Sequence, residues 1–295
     1  MKKIALPLLL IALCLLLCSC TSLGYVYPNG DEYTAGGTRI DSRVEDIDIN
    51  WMDGMVNVAY HEGNEIVLQE TAGRELSSDT QLHWRLDGKE LTVQYAASGF
   101  RALPSLSKEL TVLLPAALRL DDVKISVASA EVQADGIDAD EIVINTASGR
   151  VALRQTSHAE KVTVSTASGG VAVAVADADQ LTINTASGQV IADVYQADEV
   201  KANTVSGAVV LQFARMPDEI NLDSVSGNLT LQLPLEGGFT ADVDTLSGAV
   251  RGNLPVKVQG DDRYVYGNGD CRISVDTVSG NVKFDENAAA GEKEI

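Results

Sequence analysis

The chain has 295 residues, 45% of them hydrophobic, and 42 Asp and Glu against 22 Lys and Arg give a formal net charge of −20. A surface this acidic repels phosphate backbones and anionic headgroups, which argues against nucleic acid as a partner and favours cationic peptides, polycations and divalent metals. With only 4 Phe, 2 Trp and 8 Tyr, the apolar content is mostly Ala, Val, Ile and Leu, so a narrow interior of small and β-branched side chains is expected rather than a thick core.

Lys2 and Lys3 precede an apolar run, Ile4 to Leu17, broken only by Pro7. A basic segment followed by a short apolar one has the layout of an export signal, and the run is too short for a bilayer span of roughly 20 residues. Its end, Leu17-Cys18-Ser19-Cys20, resembles the bacterial lipobox, in which a Leu three places before a Cys and a small residue just before it direct lipidation. Cys20 fits; Cys18, preceded by bulky Leu17, does not. An ordinary secretory signal is the alternative. The expectation is a signal peptide over 1–19 and an extracytoplasmic protein held to a bacterial membrane, cell or outer, by acyl chains on Cys20. The mature chain would then keep 20 basic and 42 acidic residues. Cys271 would be its one free cysteine, expected as a small buried hydrophobe.

Residues 20–37, with Gly30, Gly36 and Gly37, read as a flexible tether. Period-two alternation follows over 38–120: Ile47, Ile49 and Trp51, then Gly54, then Val56 and Val58. Leu82, Trp84 and Leu86 lead into the Asp87-Gly88 turn, and Leu91 and Val93 lead away from it. Histidines at 61, 83 and 158 have no ligand spacing, and no Gly-rich loop opens a helix.

Over 121–284 the chain repeats itself. Ser-Gly corners recur at Ser148, Ser168, Ser187, Ser206, Ser226, Ser247 and Ser279, in steps of 20, 19, 19, 20, 21 and 32 residues. Apolar residues lie six and four places before each Ser, a Thr or Ser two before, and apolar residues three and often five after. A fixed short period signals stacked copies of one unit. The predicted fold is all-β, a single-stranded β-solenoid of coils of about 19–20 residues, with 38–120 as a capping β region. Eight coils at roughly 4.8 Å each give about 35–40 Å. Each corner Gly is expected to take positive φ, and the Ser beside it to bond its own local backbone. An antiparallel meander of hairpins is the rival. The segment 285–295 reads as a disordered acidic tail, with Asp285, Glu286 and Asn287 shielding the last edge.

The T-A-S-G and T-V-S-G corners, flanked by alternating apolar triplets over 40–284, resemble the bacterial putative-adhesin β-solenoid family, a domain of unknown function. The resemblance implies a β-solenoid with a surface or adhesive role, and brings no catalytic residues.

Three places stand out as candidate sites. Acids eight places before the Ser (Asp140, Glu160, Asp179, Asp198, Asp218) would line one edge, where Ca²⁺ or a cationic partner would relieve their repulsion. Turn formation and edge solvation explain the same column without a ligand. A second column, three before the Ser, runs Asn145, Ser165, Asn184, Asn203, Asp223, Asp244 and Asp276, and its amides can form a hydrogen-bonded ladder. The long step before Ser279 carries Asp261, Asp262, Tyr264 and Tyr266, either a loop that binds a sugar or peptide, or a solvent loop or cap for the last coil. The expected function is non-enzymatic: a membrane-anchored lipoprotein displaying a repetitive surface to a protein, peptide or glycan, with no cofactor beyond Ca²⁺. The alternatives are an acidic sensor or decoy for cationic peptides and a polysaccharide-degrading β-helix enzyme.

Overall fold

The computed structural model describes residues 26–99 and 106–287. The signal peptide, Cys20, the first part of the tether and residues 288–295 of the tail lie outside the described residues.

Each coil of the repeats is a strand, a kink, a second strand and a corner, Ser-Gly from Ser148 onward, so the solenoid has two broad faces. The strand Val151–Thr166 shows one whole coil: its first half pairs with 171–175, its second half with 178–185, and the register shifts between Gln155 and His158. Buried Gln155 fills that kink, accepting from Ala176 N–H (2.8 Å) and donating to Asp177 O (2.9 Å) on the next coil. Within each strand alternate residues turn inward, so Ile142, Ile144, Val151 and Leu153 meet between the faces beside their copies from neighbouring coils. Among the described residues, ten strands stack in parallel on each face. Ten rungs make a rod of roughly 45 Å. The antiparallel meander is thereby excluded for the repeats, and the region 38–120 does more than cap: it supplies two of the ten rungs, 46–61 and 90–115.

The corners explain the repeat, by a different route from the one expected. The glycines of the Ser-Gly corners are absent from the positive-φ set. They are glycines because the coils touch there. A Cβ on Gly169 would sit 1.7 Å from Gly149 O, one on Gly188 1.8 Å from Gly169 O, and one on Gly207 2.0 Å from Gly188 O. The early corner Gly54 combines positive φ (87°) with such an approach, 2.1 Å from Lys108 O. The Thr or Ser two places before each Ser accepts the corner Gly N–H, as in Thr146 to Gly149 and Thr166 to Gly169 (both 2.8 Å). The corner Ser hydroxyl bonds the preceding coil instead of its own backbone: Ser206 Oγ donates to Ala186 O at 3.3 Å.

Spatial order departs from chain order at both ends. At the amino end the rung 46–61 lies between 90–115 and 120–137. At the carboxyl end the rung 271–286 lies between 219–233 and 238–252. Asp285 and Glu286, expected to shield the last edge, therefore belong to an interior rung. The ends are closed by short antiparallel strands: Ile66–Thr71, Thr38–Ile40, His83–Asp87 and Thr34–Ala35 at one, Arg263–Gly267 and Lys257–Gln259 at the other. Short, charged edge strands limit pairing with other chains.

A buried charge locks the amino-terminal end. Lys108, fully buried, places Nζ 2.6 Å from Glu70 Oε1 and 2.7 Å from Thr80 O, and also bonds Tyr95 O. The ammonium lies over the rings of Tyr95 (4.1 Å) and Trp51 (4.9 Å). Burial pushes its pKa down, and Glu70 opposes that shift.

Two stability outcomes follow. Gly188→Ala is expected to cost about 3 kcal/mol or more in urea unfolding, because the backbone it meets cannot yield, whereas Gly73→Ala, with open space around it, stays within about 0.5 kcal/mol. Lys108→Met, by stranding the Glu70 carboxylate, is expected to cost about 3–5 kcal/mol, and Lys108→Met/Glu70→Met to recover much of it. A double variant no more stable than the single would refute the assignment of the cost to a stranded charge.

Candidate binding surface

Outward-facing side chains repeat from rung to rung, so each sheet presents columns. The column three places before the corner Ser forms the expected ladder: Asn203 Nδ2 donates to Asn184 Oδ1 (2.9 Å), and Asn184 Nδ2 to Ser165 Oγ (3.2 Å). Beyond Asn203 the amides give way to carboxylates. Because the last rung is intercalated, the order is Asp223, Asp276, Asp244, each beside the next. Burial, and then the facing Asp276, push the Asp223 carboxyl up to about 6.

The insertion before Ser279 overhangs this end of the column. Its strands 257–259 and 263–267 form a hairpin whose inner strand, 263–267, pairs with Gly238–Asp242. Between hairpin and sheet lies an open cleft of about 480 Å³, lined by Asp242, Asp244, Asp262, Asp276, Gln259, Arg263 and Ser274 among others. Arg263 makes a two-pronged contact with Asp242 (2.8 and 3.2 Å), which lowers the Asp242 pKa. The cleft stays acidic after that pairing.

Of the sequence-predicted loop residues, Asp261 and Asp262 sit exposed at the hairpin turn. Tyr264 and Tyr266 are half-buried and act as a cap. The Tyr266 ring packs 5.8 Å from Phe239 with its hydroxyl donating to Leu235 O (3.1 Å), and the Tyr264 ring lies 6.2 Å from Phe284.

The acids eight places before the Ser do align, through pairings such as Ala178 with Ala197 and the Asp218 N–H to Asp198 O bond (3.0 Å). Glu160 stands between Asp140 and Asp179 in that row. Two of the five, Asp140 and Asp179, have a basic neighbour. Arg119 bonds both Asp140 and Asp138, and His158 lies 3.3 Å from Asp177 and 3.6 Å from Asp179. Among the described residues no group of three or more His, Cys, Asp or Glu is arranged to hold a metal ion. Cys271 is buried, and burial raises its pKa to about 12, which makes it an inert core residue.

A family model described as Toastrack DUF4097 matches residues 38–285. The chain belongs to the Toastrack DUF4097 family. The match begins at the closing strand Thr38–Ile40 and ends within Val282–Glu286, so it takes in the rungs before 121 as well as the repeats. Similar solved structures include a putative adhesin from Parabacteroides distasonis ATCC 8503 (15% identity, 85% of this chain and 97% of that one, TM-score 0.45) and a putative cell adhesion protein from Clostridium sporogenes ATCC 15579 (15% identity, 86% and 99%, TM-score 0.28). A putative adhesin from Bacteroides fragilis NCTC 9343 is 10% identical over 84% of this chain and 96% of that one, with a TM-score of 0.38. No curated protein matches the chain.

The carboxylate row gives a pH-dependent stability. Asp223 holds its proton more tightly folded than unfolded, so its contribution is fully present below pH about 4 and lost as pH rises through about 6. Asp223→Asn, which also extends the amide ladder, is expected to raise stability at pH 7 by about 1–2 kcal/mol after allowing for solvent screening, with the gain vanishing near pH 4. Urea titrations at the two pH values measure it; a gain of equal size at both would refute the assignment.

Proposed function

We propose that this protein is a non-enzymatic extracytoplasmic lipoprotein, anchored through Cys20, that displays its sheet faces for adhesion or cell-envelope contacts. The reading rests on one observation above all: like side chains stand in rows at rung spacing on a continuous parallel stack, as in Ser165, Asn184 and Asn203. Rows of this kind offer many small, equal contacts to a repetitive ligand such as a glycan or an extended peptide, and weak contacts multiply when they are linked.

A second reading is favoured by the carboxyl-terminal cleft. Asp244, Asp262 and Asp276 converge there, and a cationic peptide complements them in charge. The glycan or peptide then binds by the rows, and the basic peptide by the cleft.

Glycan and peptide arrays probed with the soluble chain, with and without calcium, separate the two. Row-based adhesion predicts binding that survives raised salt and Asp244→Asn/Asp276→Asn. Cleft binding predicts retention of basic peptides that falls steeply with salt and by about tenfold or more in that double variant. No retention on either array, together with unchanged attachment of cells lacking the protein, would overturn both.

A further inference from the structure

The rung 271–286 is separated in space from its chain predecessor 238–252 by nothing, yet it lies inside it, against 219–233. Through it, Ile220 lines up with Ile273 and then Ala241, and Leu229 with Val282 and then Val250. On both faces the outer rung is the inner one displaced by the same 21 residues (220 to 241, 229 to 250), an ordinary step of the repeat. The amino-terminal end differs. There Leu91 and Val123 flank Ile47, 32 residues apart, while Leu110 and Val132 flank Val56, 22 apart. Removing that middle rung would leave the two faces out of step.

We infer that the carboxyl-terminal end has two closures made from the same residues. In one, 271–286 is intercalated. In the other, 238–252 sits directly on 219–233 in unchanged register and 271–286 is free, a detachable terminal strand pair. The side chains fit, because Ala241, Val243 and Thr245 repeat the apolar, apolar, Thr pattern of Ile273, Val275 and Thr277. The corner fits, because Gly248 already stacks on the carbonyl of Gly280 as Gly280 does on that of Gly227. The connection fits too. Residues 234–237 now climb two rungs, about 10 Å, within the roughly 13 Å that four residues reach; climbing one is easier. The hairpin 257–267 pairs with the far side of the outer rung and survives the exchange.

Neighbours in sequence close first, so the sequential closure forms early. The intercalated closure prevails at equilibrium because it buries Cys271, Ile273, Val275, Val282 and Phe284 in addition.

Pulsed hydrogen exchange during refolding of the full chain tests this. Amides of 239–245 are expected to gain protection together with 219–224, and those of 271–286 in a later phase. Protection of all three at the same time, or of 271–286 first, would overturn the inference. A second measurement uses Ile273→Asp, which makes the terminal rung unburiable. Protection over 271–286 should then fall about a hundredfold while 239–245 stays within about tenfold of the parent. Loss over 239–245 alongside it would also overturn the inference, and if this variant fails to fold the refolding measurement on the parent chain decides.

Discussion

The contact on which the rest depends is the stacking of one backbone corner on another. Where Gly169 lies against Gly149 O and Gly188 against Gly169 O, the rungs come too close for any side chain. At the spacing the strand ladders impose, that approach keeps the Ser-Gly corners of successive rungs in line. Thr166 and Thr185 support it by accepting the corner N–H groups that the turn would otherwise leave buried without a partner. Given that spacing, the apolar residues need only be of middling size. The core is accordingly mostly Val, Ile, Leu and Ala, with Trp51 and Tyr95 buried toward the amino end and Phe213, Phe239 and Phe284 toward the carboxyl end.

A repeat of this kind makes its surface as regular as its core. Each outward position becomes a column, and the chemistry of the column depends on which residues happen to be adjacent. Asn beside Asn gives a hydrogen-bonded ladder, since an amide both donates and accepts. Asp beside Asp has no such option when ionised, and burial makes the conflict worse at Asp223. The same column thus passes from self-satisfied to charged along its length, and the charged part coincides with the cleft under the insertion before Ser279.

Much of this was legible in the sequence because the causes are local. Alternation fixes which face of each strand is buried, and the T-x-S-G corners fix where coils turn and align. The amide ladder followed from position alone. What stayed hidden was relational. The glycines announced a special backbone, but whether the reason was φ or a neighbour's carbonyl depends on a residue some 20 places away. The rung order was hidden because Ile273 and Ala241 suit Ile220 by the same pattern, so nothing local says which one pairs with it. Tyr264 and Tyr266 were open to reading as binding or as capping residues because the loop around them is polar, and it is Phe239 and Phe284 that draw their rings inward. The Lys108–Glu70 pair was invisible because the two lie in segments without a repeat to align them.

The intercalated last rung also bears on how the rod carries load. Tension applied at the carboxyl end of a simple stack would peel an edge, breaking one ladder a few bonds at a time. Here the final strand, Val282–Glu286, is bonded to 229–233 on one side and to 250–252 on the other. Tension arriving through it is shared at once by two ladders, so this strand is gripped in the body of the rod instead of at its tip.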